Sequence, residues 1–182
     1  LIKKEVNFFS GVPDSLLKDF CLCIDENSNA LNHIITANEG NAIALATGYH
    51  LATNKVPLVY MQNSGLGNAI NPLISLCDPK VYSIPMLVMV GWRGEPGVKD
   101  EPQHKKQGST QLKFLESIDC PYFIFSNNEN EMQNKISQAI KHAVKEKRPV
   151  VLLMKKKSFE KYKKNKGDSP YPSFSRERAL KI

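Results

Sequence analysis

Six short runs of β-branched, aromatic and other apolar residues punctuate the chain: 6–12 (VNFFSGV), 33–37 (HIITA), 57–62 (PLVYMQ), 83–92 (SIPMLVMVGW), 122–126 (YFIFS) and 149–155 (PVVLLMK). They predict strands. Between them, apolar residues recur at the three- and four-residue spacing of helices. Leu16, Leu17 and Phe20 follow Pro13, with Asp14 as a candidate cap. Ala42, Leu45, Ala46 and Tyr49 follow Glu39. A glycine-bearing turn leads to a helix ending near Cys77, and another helix is predicted around 110–119. Over 129–147, Met132, Ile136, Ile140 and Val144 line one side of an amphipathic helix. The segment 93–108 (RGEPGVKDEPQHKKQG) reads as a long loop. Strands joined by helical crossovers predict a doubly wound α/β fold: a mainly parallel six-stranded sheet with helices on both faces. The most apolar run, 83–92, predicts a central strand buried on both sides.

Composition then bounds the chain. Its 182 residues, 41% of them hydrophobic, support one sizeable domain and exclude a disordered protein. That domain is expected over residues 1–157. From Ser158 on, Lys, Asn, Gly, Pro and Ser dominate, which reads as a linker. The final SFSRERALKI looks like the start of another helix, with Ser175 as its cap. No apolar run approaches the ~20 residues that cross a bilayer, so no membrane partner is expected. No signal-peptide pattern opens the chain, and Leu1 in place of Met points to a start upstream. Cys21, Cys23, Cys77 and Cys120 form neither a zinc pattern nor a disulfide framework; reduced thiols in a cytoplasmic protein are expected. The net charge of +7 is concentrated between Lys141 and Lys166. This stretch has few interleaved aromatics and matches no nucleic-acid motif, so it reads as a solvated helix end and basic tail. A nucleic-acid partner is not expected, although a non-catalytic basic binding module is the competing class.

In a doubly wound sheet, ligands bind beyond the carboxyl ends of the strands. Four unusual segments fall there: SGVPDS, NEGN, QNSGLGNAINP and the stretch after VMVGW. NSGLGNAINP is not a dinucleotide fingerprint, because Ile70 stands where a third glycine belongs, and no Gly-Lys-Ser/Thr makes it a phosphate loop. Glu39 fits the first turn of a helix on dipole grounds alone. But Gly40, Ala42, Ala44, Ala46 and Gly48 leave little bulk beside it, so a ligand or domain can pack close. A carboxyl in that setting suits a proton-sharing hydrogen bond to a ligand nitrogen. His104, with Gln103 and Gln107, is either incidental or a proton-handling group. Arg93, Lys99, Lys105 and Lys106 either meet an anionic substrate or are solvated surface charges.

Taken together, FFSGVPDSLLKDF, ANEGNAIALATGYHLAT, VYMQNSGLGNAINPL, SIPMLVMVGWRGEPGVKDEPQHKKQG and SFEKY resemble the amino-terminal half of the thiamine-diphosphate-dependent decarboxylases. Phosphonopyruvate decarboxylase and the related sulfopyruvate decarboxylase alpha subunit are the members most similar, over roughly residues 6–162. The resemblance implies that Glu39 hydrogen-bonds the cofactor's aminopyrimidine ring. Gly11, Val12, Pro13, Asn63, Gly65, Leu66 and Asn68 would also bind the cofactor. It implies further that His104 and Gln107 handle protons at the reacting carbon, and that Asp14, Ser64, Arg93 and Lys99 face a small anionic 2-oxo acid. The family's second domain binds the diphosphate through Mg²⁺ with a Gly-Asp-Gly motif, which is absent here. No metal ligand is therefore expected on this chain, which reads as the pyrimidine-binding half. Residues 158–182 would lead into a missing diphosphate-binding domain, or that domain would be a beta subunit. Homo-oligomerisation is implied because such sites lie between subunits.

Overall fold

A computed structural model of the chain describes residues 1–163, the side chains of Glu129 and Asn130 excepted. Six strands form one sheet: β1 (Phe9–Gly11), β2 (His33–Ile35), β3 (Leu58–Gln62), β4 (Met86–Gly91), β5 (Tyr122–Phe125) and β6 (Pro149–Met154). Their order is β2-β1-β3-β4-β6-β5, and every neighbouring pair is parallel. The connecting helices are α1 (Lys18–Asn27), α2 (Glu39–Thr53), α3 (Leu66–Ser75), α4 (Pro102–Ser117) and α5 (Glu129–Glu146).

The period of two along the central strands supplies two cores. Val59, Met61, Val88, Val90, Val151 and Leu153 point to one face and pack with Ala42, Ile43 and Ala46 of α2, Leu66, Ala69 and Leu73 of α3, and Leu115 of α4. Leu58, Tyr60, Leu87, Met89, Val150 and Leu152 point to the other and pack with Phe20 and Ile24 of α1 and Ala139 and Ala143 of α5. All six residues of β4 are buried, as its apolar run predicts.

Four expectations differ from the structure. The helix expected at 110–119 begins at Pro102, so His104 and Gln107 stand on α4 rather than in a loop. Pro102 occupies the first helical position, where its missing N–H costs nothing; the few apolar residues of the first two turns hide their periodicity. Val144, placed on the inner side of α5, is 52% exposed; the inward row drifts to Ala139 and Ala143. Leu45 is likewise exposed, and Ile43 and Thr47 take the buried positions on α2. Ser158, Phe159 and Tyr162, which composition assigns to a linker, pack back onto the domain. The Ser158 hydroxyl donates to the carbonyls of Phe125 and Lys155, the Phe159 ring lies 5.8 Å from Phe20, and the Tyr162 amide donates to Asp19. The helix expected at Ser175 lies outside the described residues. Among the described residues no helix is long and apolar enough to cross a membrane.

Candidate active site at the carboxyl ends of the strands

Parallel pairing brings the turns after β1, β2, β3 and β4 to one edge of the sheet. β1 ends at Gly11, packed so tightly on β3 that a Cβ there would strike the Tyr60 carbonyl. Val12 donates its amide to that carbonyl at 3.1 Å, which turns the chain into Pro13 and Asp14. Asp14 caps the turn Ser15–Leu17 by accepting from the Leu16 amide at 3.0 Å. It is 7% exposed, and burial raises its pKa against the opposing pull of that hydrogen bond and of Arg93.

After β2, Asn38 caps α2 by accepting from the Asn41 amide, which sets Glu39 as the first helical residue. The half-exposed Glu39 reaches towards the start of α3, where Oε2 accepts from Asn68 Nδ2 at 2.8 Å. Gly65 makes the room: a Cβ at that position would lie 2.5 Å from Glu39 Cγ and 2.6 Å from Cδ. No hydrogen bond within the described residues occupies Oε1.

After β3, the turn Asn63–Gly65 carries the fully buried Asn63. Its Nδ2 donates to the Arg93 carbonyl at 2.8 Å, its own carbonyl accepts from Gln107 Nε2 at 3.1 Å, and Oδ1 has no partner among the described residues. Ser64 is exposed and accepts from Gln62. Leu66 is buried in the core beneath the turn rather than at the polar edge.

After β4, Arg93 and His104 converge on Asp100. The carboxylate accepts from Arg93 Nε at 2.9 Å and Nη2 at 2.5 Å, and from the Gly94 and Glu101 amides at 2.8 Å each. His104 Nδ1 lies 3.0 Å away. The Arg93 guanidinium, then His104 and the two amides, hold the Asp100 carboxyl well below the usual range. Asp100 in turn raises the Arg93 pKa. The cation expected to greet a substrate is therefore already matched by an internal carboxylate. Lys99 is exposed and has no hydrogen bond or ion pair among the described residues, so nothing ties it to this cluster.

One network thus spans four strand ends. Glu39, Gly65 and Asn68 form one end and Asp14, Ser15, Arg93, Asp100 and His104 the other; Asn63, which shares its turn with Gly65, hydrogen-bonds the Arg93 carbonyl and accepts from Gln107. A carboxylate with one oxygen anchored and the other without a hydrogen bond can accept a ring N–H or share its proton. Metal binding is a different matter: the described residues hold no group of three or more His, Cys, Asp or Glu suited to it.

The family profile described as the N-terminal TPP binding domain of thiamine pyrophosphate (thiamine diphosphate) enzymes matches residues 1–115, which include every residue of this network. The chain belongs to this family. Over 154 residues the thiamine pyrophosphate enzyme domain is 32% identical to the sulfopyruvate decarboxylase subunit alpha of Methanococcus maripaludis, covering 85% of this chain and 89% of that one. Over 103 residues it is 41% identical to the phosphonopyruvate decarboxylase of Streptomyces hygroscopicus, and over 127 residues 35% identical to that of Streptomyces viridochromogenes. The domain spans 25% and 31% of those two proteins. Benzoylformate decarboxylase from Polynucleobacter necessarius shares the fold with a TM-score of 0.69 at 19% identity, over 95% of this chain and 31% of that one.

Asp100 and Ser15 are the network members that sequence reasoning passed over. Asp100 precedes His104 by four residues, the spacing that joins side chains across one helical turn, and Pro102 between them marks where that turn begins.

Proposed function

We propose that this chain is the pyrimidine-binding half of a thiamine-diphosphate-dependent 2-oxo acid decarboxylase, with 3-phosphonopyruvate as substrate and phosphonoacetaldehyde and CO₂ as products, a step in phosphonate biosynthesis. The observation that carries this reading is Glu39, anchored through Oε2 by Asn68 over the gap left by Gly65, with no hydrogen bond to Oε1 among the described residues. In this role Glu39 Oε1 holds a proton against a nitrogen of the aminopyrimidine ring. Asn68 keeps the carboxylate from swinging away, and the backbone at Gly11, Val12 and Pro13 forms the neighbouring wall. The cofactor, when bound, supplies an electron sink for the pair released as CO₂ departs. Gln107, fixed by the Asn63 carbonyl, and His104, oriented by Asp100, handle the proton that returns to the reacting carbon. Asp14 and Ser64 face the substrate.

The diphosphate and its Mg²⁺ need a cluster of hard oxygen ligands and fall to a second domain or beta subunit, across an interface in a homo-oligomeric, cytoplasmic assembly. A second reading, the alpha subunit of a two-chain sulfopyruvate decarboxylase, is favoured by the 89% coverage of the Methanococcus subunit. The test is CO₂ release from 3-phosphonopyruvate and from 3-sulfopyruvate by the chain joined to its diphosphate-binding half. Glu39→Gln is expected to lower kcat by roughly 10²- to 10⁴-fold with an unchanged circular-dichroism spectrum. Turnover near that of the unaltered enzyme would refute the assigned role, and preference for one substrate decides between the two readings.

A further inference from the structure

We infer that the cleft between the β1 turn and the segment after β4 receives the tetrahedral oxyanion at the substrate's far end, through Arg93, Ser15 and Lys156. The inference deepens the decarboxylase reading and rests on it for the identity of the substrate. The cleft, about 170 Å³, is lined by Ser15, Trp92, Arg93, Glu95, Asp100 and Lys156 among others. A guanidinium carries five N–H donors in a fixed fork. In Arg93, Nε and one Nη2 proton are engaged by Asp100, and one Nη1 proton by Ser15 Oγ at 2.7 Å. One N–H on each terminal nitrogen remains, in an orientation already fixed by the carboxylate on the opposite edge. Ser15 Oγ accepts from Arg93, which leaves its own proton free to donate. Three donors therefore stand in one plane and its margin, with the entropy of ordering Arg93 already met by Asp100.

The charges point the same way. Asp100 is matched by Arg93 and by backbone amides. Glu95 is matched by Lys155 Nζ at 2.7 Å. Lys156 is exposed and unpaired among the described residues, so it is the unmatched charge of the cleft. A phosphonate or sulfonate presents three oxygens, enough for both Arg93 protons, the Ser15 hydroxyl and the Lys156 ammonium together. A planar carboxylate presents two. Lys156, rather than the unconnected Lys99, becomes the second cation for the anionic tail.

The test is a ³¹P NMR titration of the chain with methylphosphonate, with acetate and methanesulfonate as competitors. Ser15 and Lys156 are both exposed, so Ser15→Ala and Lys156→Met are expected to fold. Each is expected to weaken methylphosphonate binding by roughly fivefold or more. Lys141→Met removes the same charge from the exposed side of α5 and is expected to change affinity by less than about twofold. Methanesulfonate should displace the probe and acetate should not. The inference is overturned if the chain does not bind methylphosphonate, if Lys141→Met weakens it as much as Lys156→Met, if Ser15→Ala leaves it unchanged, or if acetate competes equally. The titration needs no cofactor. A negative result beside an inactive Glu39→Gln enzyme therefore removes the subsite and leaves the decarboxylase reading standing.

Discussion

Gly65→Ala separates the seat of Glu39 from the stability of the fold. Gly65 has φ −68° and ψ −17°, a conformation that alanine adopts without strain, so the backbone itself slightly favours the change. The added methyl would meet Glu39 Oε1 first and sit 2.5 Å from Cγ and 2.6 Å from Cδ, whereas ordinary carbon contacts are about 3.5–4.0 Å. The carboxylate must retreat by about 1 Å, and it can, because it is a half-exposed side chain rather than backbone. Net stability is therefore expected to stay within about 1 kcal/mol of the unaltered chain. A 1 Å misplacement of a positioned group costs on the order of 10²-fold in rate, and that loss is expected in kcat of the completed enzyme. The assays are urea unfolding of the chain and CO₂ release by the assembly. Gly67→Ala is the control: a Cβ there meets nothing within 4 Å, so stability is expected to hold or rise by up to about 1 kcal/mol, with full turnover. Full turnover by Gly65→Ala, or its collapse in urea, would refute the argument.

Other perturbations follow from the same geometry. The folded Asp100 carboxyl is held below its unfolded value of about 3.9, so its stabilisation is complete above about pH 4 and is lost as pH falls further. Asp100→Asn should lower the urea midpoint at pH 7 and flatten its decline between about pH 4 and pH 2; parallel curves for the two proteins would contradict this. Gly94 has φ +68°, and a Cβ there would strike the His104 carbonyl, so Gly94→Ala is expected to cost roughly 2–3 kcal/mol or more in urea unfolding. Burial pushes the thiols of Cys21 and Cys77 up to about 11 and that of Cys120 up to about 12. Iodoacetamide at pH 8 should therefore modify these three slowly in the native chain and readily in urea, as read by intact mass; rapid labelling of native Cys77 would argue against its burial.

The sheet was legible because its strands are buried on both faces, so β3, β4 and β6 stand out as unbroken apolar runs without need of alternation. Their spacing left room only for crossovers, and parallel order followed. α4 was harder to see. Its first two turns, PQHKKQG, carry no apolar stripe because they pack against the Asn63–Gly65 turn and the Asp100 hub through polar contacts. Periodicity, which reports burial against a core, is silent there. Glu39 could be singled out because the residues after it are unusually small. The pairing of Arg93 with Asp100 could not be weighed in the same way, because they stand seven positions apart and only the fold of the loop brings them within hydrogen-bonding distance. Phe159 and Tyr162 illustrate the reverse error, since a lysine-rich composition concealed two aromatic residues that dock on α1.

The strand order has a consequence for how the chain comes into being. β6 lies between β4 and β5, pairing with six residues of one and four of the other, and β5 has no other neighbour among the described strands. Of the six described strands, the last to leave the ribosome is thus the one that joins Tyr122–Phe125 to the rest. Until Met154 has emerged, Tyr122–Phe125 lacks its partner among the described strands and one flank of β4 lies bare, open to a strand from another nascent polypeptide. Pairing of β2, β1, β3 and β4 needs no later segment, whereas docking of Tyr122–Phe125 waits for Pro149–Met154.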